Sequence, residues 1–143
     1  MSLLVAVDFS AVTERQMNAV ERLAAPGREI HVLHVAEPDP DFVGFEGGPH
    51  EVRAQVAEEF REERRQVQEL AERLRAAGFD ATALVVQGPT VETILEQARK
   101  HESDAIIVGS HGRSALFDLV VGSVSAGVIR KSAVAVLVVP APR

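Results

Sequence analysis

Aliphatic runs alternate along this chain with stretches whose apolar positions recur every three or four residues. Leu3–Val7 is a continuous aliphatic run that stops at Asp8, the pattern of a parallel strand covered on both faces. Ser10 stands where a side-chain oxygen can cap a helix in which Val12, Met17, Val20 and Leu23 form a rough apolar stripe, closed by Pro26-Gly27. Ile30–Ala36 predicts a second strand. Segment 37–49, EPDPDFVGFEGGP, has three prolines and three glycines and reads as a flexible surface loop. Glu51–Ala77 predicts a long helix with Val52, Val56, Phe60, Val67, Leu70 and Leu74 inward and a solvated Glu/Arg face, ended by Gly78. Ala81–Val86 is a third strand, and Thr90 caps a helix with Val91, Ile94, Leu95 and Ala98 at i, i+3, i+4 and i+7. A fourth strand, Ala105–Val108, precedes a polar loop and a short helix, Val124–Lys131. In that helix Val124, Val128 and Ile129 share a face, with Arg130 and Lys131 in the last turn. Val134–Val139 is a fifth strand, stopped by Pro140.

Strands alternating with helices imply right-handed crossovers and a parallel sheet with helices on both faces. At 143 residues the whole chain, 1–143, reads as one α/β domain. Ligands of such sheets sit at the carboxyl ends of strands, where the winding direction reverses. Those ends carry Asp8, Val35-Ala36, Gln87-Gly88 and Gly109.

The chemistry concentrates between the fourth strand and the last helix. Gly109, Gly112 and Gly122 leave backbone N–H groups open to a ligand, and the helix start at Gly122, Ser123, Val124 and Ser125 offers unpaired donors and hydroxyls, the parts of a phosphate cradle. Ser110, His111, Arg113 and Ser114 make the loop polar. The plainer reading makes the glycines ordinary turns, Ser123 an N-cap and Asp8 the cap of its own turn. The loop fits neither the Walker A pattern nor the GxGxxG turn. His31 and His34, three apart on a strand, fall on opposite faces and make a poor metal pair. His50 and His101 stand alone near helix ends. No HExxH, carboxylate pair or nucleophile–base set can be assembled. Asp8 and Asp118 are the carboxylates that could meet a magnesium ion brought in by a nucleotide.

The spacing Gly109-x2-Gly112-x9-Gly122-Ser123 resembles the nucleotide-binding signature of the universal stress proteins, in their ATP-binding subgroup, and the likeness extends over almost the whole chain. The resemblance implies a Rossmann-like five-stranded sheet of the adenine nucleotide alpha hydrolase kind, ordered 3-2-1-4-5, which sets Asp8 opposite Gly109. It implies that Asp8, in a VDFS segment, contacts the nucleoside. Ala6, the backbone of Val35, and Val108 would line the base. Gly109, Gly112, Gly122, Ser123, Val124 and Ser125 would hold ribose and phosphates. His111 and Arg113 occupy variable positions of the signature and either add charge or stay solvated. It further implies ATP as ligand, with or without magnesium, and a homodimer through Val134–Val139.

Bulk properties narrow the field. There is no cysteine, which excludes disulfides and thiolate metal sites. The net charge of −6 argues against a general nucleic-acid or anionic-membrane surface. Leu3–Val7 is too short for a leader, and no run approaches the roughly 20 apolar residues of a membrane helix. The expectation is a cytoplasmic, ATP-binding regulatory module in the stress response, without identifiable catalytic residues and with at most slow hydrolysis. The rivals are a slow ATPase or nucleotidyl-transferring enzyme, and a nucleotide-free interaction module.

Overall fold

The computed structural model describes residues 1–36, 50–110 and 122–142, with residues 50–56 as backbone alone. Among them, strands β1 (Ser2–Ala6), β2 (Glu29–Ala36), β3 (Asp80–Gln87), β4 (Ser103–Gly109) and β5 (Ala135–Val139) alternate with helices. The helices are α1 (Val12–Leu23), α2 (His50–Ala76), α3 (Thr90–Lys100) and α4 (Ser123–Lys131). All the strands pair in parallel in one sheet ordered β3-β2-β1-β4-β5, the expected order. The winding direction therefore reverses between β1 and β4.

Each central strand sends alternate residues to opposite faces. Leu3, Val5, Val7, Ile30, Val32 and Ile107 pack with Val12, Met17 and Val20 of α1 and Val67, Ala71 and Leu74 of α2. Leu4, Leu33, Ile106 and Val108 pack with Ile94 and Ala98 of α3 and Val128 of α4. Two apolar layers thus enclose the sheet, which is why β1 and β4 read as unbroken aliphatic runs.

Several helix details differ from the sequence reading. The buried face of α1 is Val12, Thr13, Gln16, Met17 and Val20, continued by Ala24, so Leu23 is left 69% exposed. In α4 the buried residues are Ser125 and Val128, while Val124 and Ile129 flank that face and are exposed. Neither Ser10, Thr90 nor Ser123 is the cap it resembles. The capping positions are Ala11, Pro89 and Gly122, none making a side-chain cap bond. Pro89 and Gly122 are the last extended residues, and their carbonyls accept from Thr93 (2.9 Å) and Ala126 (2.9 Å). Each helix thus starts one residue earlier than a cap at Thr90 or Ser123 would have it. The end of α2 is as expected. Gly78 takes φ +98°, its N–H bonds the Arg75 carbonyl, and Phe79 N–H reaches back to Leu74 at 3.0 Å, closing a Schellman turn. Segment 37–49 and the side chains of Val52 and Val56 lie outside the described residues.

Candidate functional site

The tip of β1 is held by side chains from its neighbours. Beyond the last sheet residue, Val7 N–H donates to Leu33 at 2.8 Å. Gln16 of α1 donates its amide to the Ala6 carbonyl at 2.7 Å. His34 of β2 places Nδ1 2.9 Å from the Val7 carbonyl. The chain then turns sharply: Phe9 adopts φ +62°, a left-handed conformation that costs a non-glycine residue on the order of 1–3 kcal/mol. That turn leaves Asp8 at the strand tip, where Oδ1 accepts the Ser10 N–H at 3.0 Å. The plainer reading of Asp8 is realised by one carboxylate oxygen. The other is the oxygen this bond does not use.

Across the reversal point stands β4. Val5 pairs with Ile107, which brings the continuation of β1 alongside Gly109. Gly109 lacks a side chain for a packing reason: a Cβ there would lie 2.4 Å from Val12 Cγ1 at the start of α1. Its carbonyl accepts the hydroxyl of Ser125, a buried residue of α4. Ser125 thus spends its proton inside the protein and keeps its backbone N–H and oxygen lone pairs for other partners. Ser110, next in line, is a junction. Its N–H donates to Val139 (2.8 Å), its hydroxyl accepts from Ala141 (3.0 Å), and its carbonyl accepts from Gly122 (2.5 Å). The polar residue after β4 therefore ties the ends of β4 and β5 to the start of α4. From Gly122 the helix opens with the amides of Ser123, Val124 and Ser125, first-turn donors that have no acceptor within the helix. The positive end of the helix dipole is there as well.

The apolar residues the resemblance assigns to the base come together on one face. Val108 is buried in the layer beneath α3 and α4, and Ala6 and Val35 pack against the same cluster from β1 and β2. His111, Gly112 and Arg113, and Asp118, lie outside the described residues. Among the described residues no group of three His, Cys, Asp or Glu side chains could hold a metal ion. Around the turn, Ser10 Oγ, Thr13 Oγ1 and Gln16 Oε1 are buried oxygens without a protein partner. The sequence reading passed over Gln16, weighed His34 only as half of a poor metal pair, and took Ser110 only as part of a polar loop. For Gln16 the signal was available: a long polar side chain one turn from the strand tip, beside Met17.

A doubly wound α/β sheet with a small-residue wall and open helix amides at its switch point defines a class of ligand-binding domain. The particular family follows from comparison. Residues 1–140 match the model of the universal stress protein family, and the chain belongs to that family. A universal stress protein of Thermus aquaticus is 32% identical over 147 residues, covering 96% of this chain and 97% of the relative. Universal stress protein YxiE of Bacillus subtilis is 29% identical, with 96% and 97% covered. The solved structure of MJ0577, from Methanocaldococcus jannaschii, superposes with a TM-score of 0.82 at 28% identity, over 99% of this chain and 97% of that one. A universal stress protein solved in complex with cAMP gives 0.64 at 25% identity, over 98% and 96%. An Arabidopsis thaliana family protein with AMP bound gives 0.64 at 15% identity, over 99% and 93%, a likeness of fold alone.

Proposed function

We propose that this chain binds an adenine nucleotide, ATP foremost, in the crevice between Asp8 and the start of α4, and acts as a nucleotide-sensing module. The observation that carries the reading is the junction at Ser110. It brings the first-turn amides of α4 to the carboxyl end of β4, one strand from Asp8. Ala6, Val35 and Val108 would take the base, Asp8 the ribose hydroxyls, and the amides of Ser123, Val124 and Ser125 the phosphates. His111, Gly112 and Arg113 would complete the phosphate side. A relative at 25% identity holds cAMP, which supports an adenine ligand. The described residues offer a magnesium ion one carboxylate at this place, Asp8, so magnesium would come in on the phosphates.

Calorimetry with ATP on wild type and Gly122→Val tests the reading. Binding in the micromolar range and a loss of about tenfold in the variant, ~1.4 kcal/mol, are expected. Equal affinities would overturn the cradle. Without a Walker lysine or a recognisable base, hydrolysis should be slow. Turnover on the order of 10 per second would expose a missed catalytic group.

The same proposal includes a cytoplasmic location and a homodimer through β5. No helix among the described residues is long and apolar enough to cross a membrane. β5 lies at the sheet edge, carries no charge, and leaves Leu137 exposed. An uncharged apolar edge offers unpaired backbone groups to a second copy. Sedimentation should show a dimer at tens of micromolar, and Val136→Pro, which removes a backbone donor, should dissociate it or misfold. A monomeric wild type would rule the dimer out.

A further inference from the structure

We infer that His34 is a positioning residue for the crevice. Held between α2 and the end of β1, its ring clamps the left-handed turn at Phe9 that presents Asp8. The inference rests on the proposed nucleotide site for its functional meaning, and its physical core can be tested without a ligand.

Both ring nitrogens of His34 face oxygen atoms. Nδ1 lies 2.9 Å from the Val7 carbonyl, which can only accept, so Nδ1 carries a proton. Nε2 lies 3.5 Å from Glu63 Oε2 of α2, and a carboxylate likewise only accepts. The ring thus stands between two acceptors, the Val7 carbonyl on one side and the Glu63 carboxylate on the other. His34 is 7% exposed, so these partners, rather than water, fix its orientation. The ring's face is used too: the Phe9 ring lies over it, centroids 4.5 Å apart and tilted 34°. One side chain thus grips the residues on both sides of Asp8, Val7 by its carbonyl and Phe9 by its ring.

Strain explains why a grip is needed. A left-handed phenylalanine persists only where its surroundings hold it. The local bond from Ser10 N–H to Asp8 is within the turn itself and cannot anchor it to the sheet. His34 can, because it belongs to the paired part of β2, opposite Val85 of β3. It also acts from behind. His34 shares the face of Ile30 and Val32 beneath α1 and α2, whereas Ala6, Val35 and Val108 belong to the layer beneath α3 and α4. A ligand on that second wall is separated from His34 by the sheet. His34 therefore acts on it through the Val7 carbonyl and the Phe9 ring.

The test uses the full chain and two readouts. The first is amide hydrogen exchange without nucleotide. In His34→Ala, exchange at Ser10 should speed up at least tenfold, while Val32 and Ile106 in the core strands stay within about twofold of wild type. A merely structural role would move the core amides together with Ser10, and that result, or no change at Ser10, overturns the clamp. The second readout is ATP affinity. His34→Ala should weaken it about tenfold, and His34→Asn, whose amide can still donate toward the Val7 carbonyl, should recover most of the loss. Asparagine no better than alanine overturns the role of that bond. Should His34→Ala not fold, His34→Asn and Glu63→Gln carry the exchange test, with intermediate acceleration at Ser10 expected and none overturning the clamp. A wild type that binds no adenine nucleotide overturns the proposed function, and the exchange result then stands by itself on the clamp.

Discussion

The two ends of this sheet treat buried polar groups in opposite ways, and β2 runs through both. At its carboxyl end His34 has an acceptor at each ring nitrogen. Three residues earlier and on the other face, His31 donates from Nε2 to Glu29 at 3.1 Å and stacks on His101 at 4.2 Å, near the start of β4. There Nδ1 of His31 and Nε2 of His101 are buried with no protein partner. His101 is thus not the solitary histidine its position in the sequence suggests. Both rings of β2 are buried to a similar degree, so burial cannot tell the two ends apart. The pattern of donors and acceptors does. At the carboxyl end, partners hold the backbone in an unusual shape, and the buried atoms left unpaired are oxygens of Ser10, Thr13 and Gln16 beside that turn. At the amino end, the groups close the sheet on itself, with Ser2 donating to the His101 carbonyl at 2.9 Å and Arg28 paired with Asp104.

The largest effect should come from Gly109 at the carboxyl end. Gly109→Val puts a branched side chain where even a Cβ would come within 2.4 Å of Val12, so α1 must move. Overpacking of this kind destabilises by about 1–3 kcal/mol, read as a lower urea midpoint, and the shift of α1 should weaken nucleotide binding as well. An unchanged midpoint would mean that α1 yields freely, and the crevice would then lack the rigid wall ascribed to it.

Gly109 also shows what the sequence made legible. Parallel strands, their order through the resemblance, and the neighbouring strand ends that carry Asp8 and Gly109 all follow from aliphatic runs and the family likeness, because those signals are local or shared by a family. The reason for Gly109 was not legible. Spacing suggests room for a ligand, while its side-chain position is taken by Val12, 97 residues earlier in the chain. The clamp by His34 was hidden likewise. Its partners are backbone of β1 and a carboxylate of α2, brought together only by the fold. The stripe read in α1 holds at Val12, Met17 and Val20 and fails at Leu23, and in α4 it holds at Val128 and fails at Val124 and Ile129, while Gln16 and Ser125 are buried to serve carbonyls, which an apolar stripe cannot register.

A smaller effect is expected at Ser125, whose hydroxyl holds the Gly109 carbonyl. Ser125→Ala leaves that carbonyl short of a partner and should cost about 1 kcal/mol, measured by urea unfolding. The amino end supplies the contrast. Asp104→Asn weakens the pairing with Arg28, in which both side chains are roughly a third exposed (30% and 34%). Partly exposed pairs contribute about 0–1 kcal/mol, and nucleotide affinity should not change, because the pair lies at the far end of the sheet. Should Asp104→Asn alter affinity as much as Ser125→Ala, the two ends would be coupled and the contrast between them lost.

The smallest effect is a pH dependence at the amino end. Burial, then the neighbouring His31, then Lys100 hold the His101 imidazole below its ordinary range, against a weaker opposite pull from Glu29. Unfolded, His101 takes up a proton as pH falls through about 6.5. Folded, it does so only at lower pH. Between those values the unfolded state holds more protons, so stability rises with pH and is lost as the solution is acidified. Above about pH 7.5 both states are neutral and His101 contributes no slope. His101→Phe keeps a ring against His31 and cannot take up the proton. Urea midpoints at about pH 7.5 and about pH 5.5 should therefore fall further for wild type than for His101→Phe. Parallel falls would show that His101 is not the group responsible. A steeper fall in the variant would mean that the folded state favours the charged ring of His101, the opposite of what its burial and the neighbouring His31 impose.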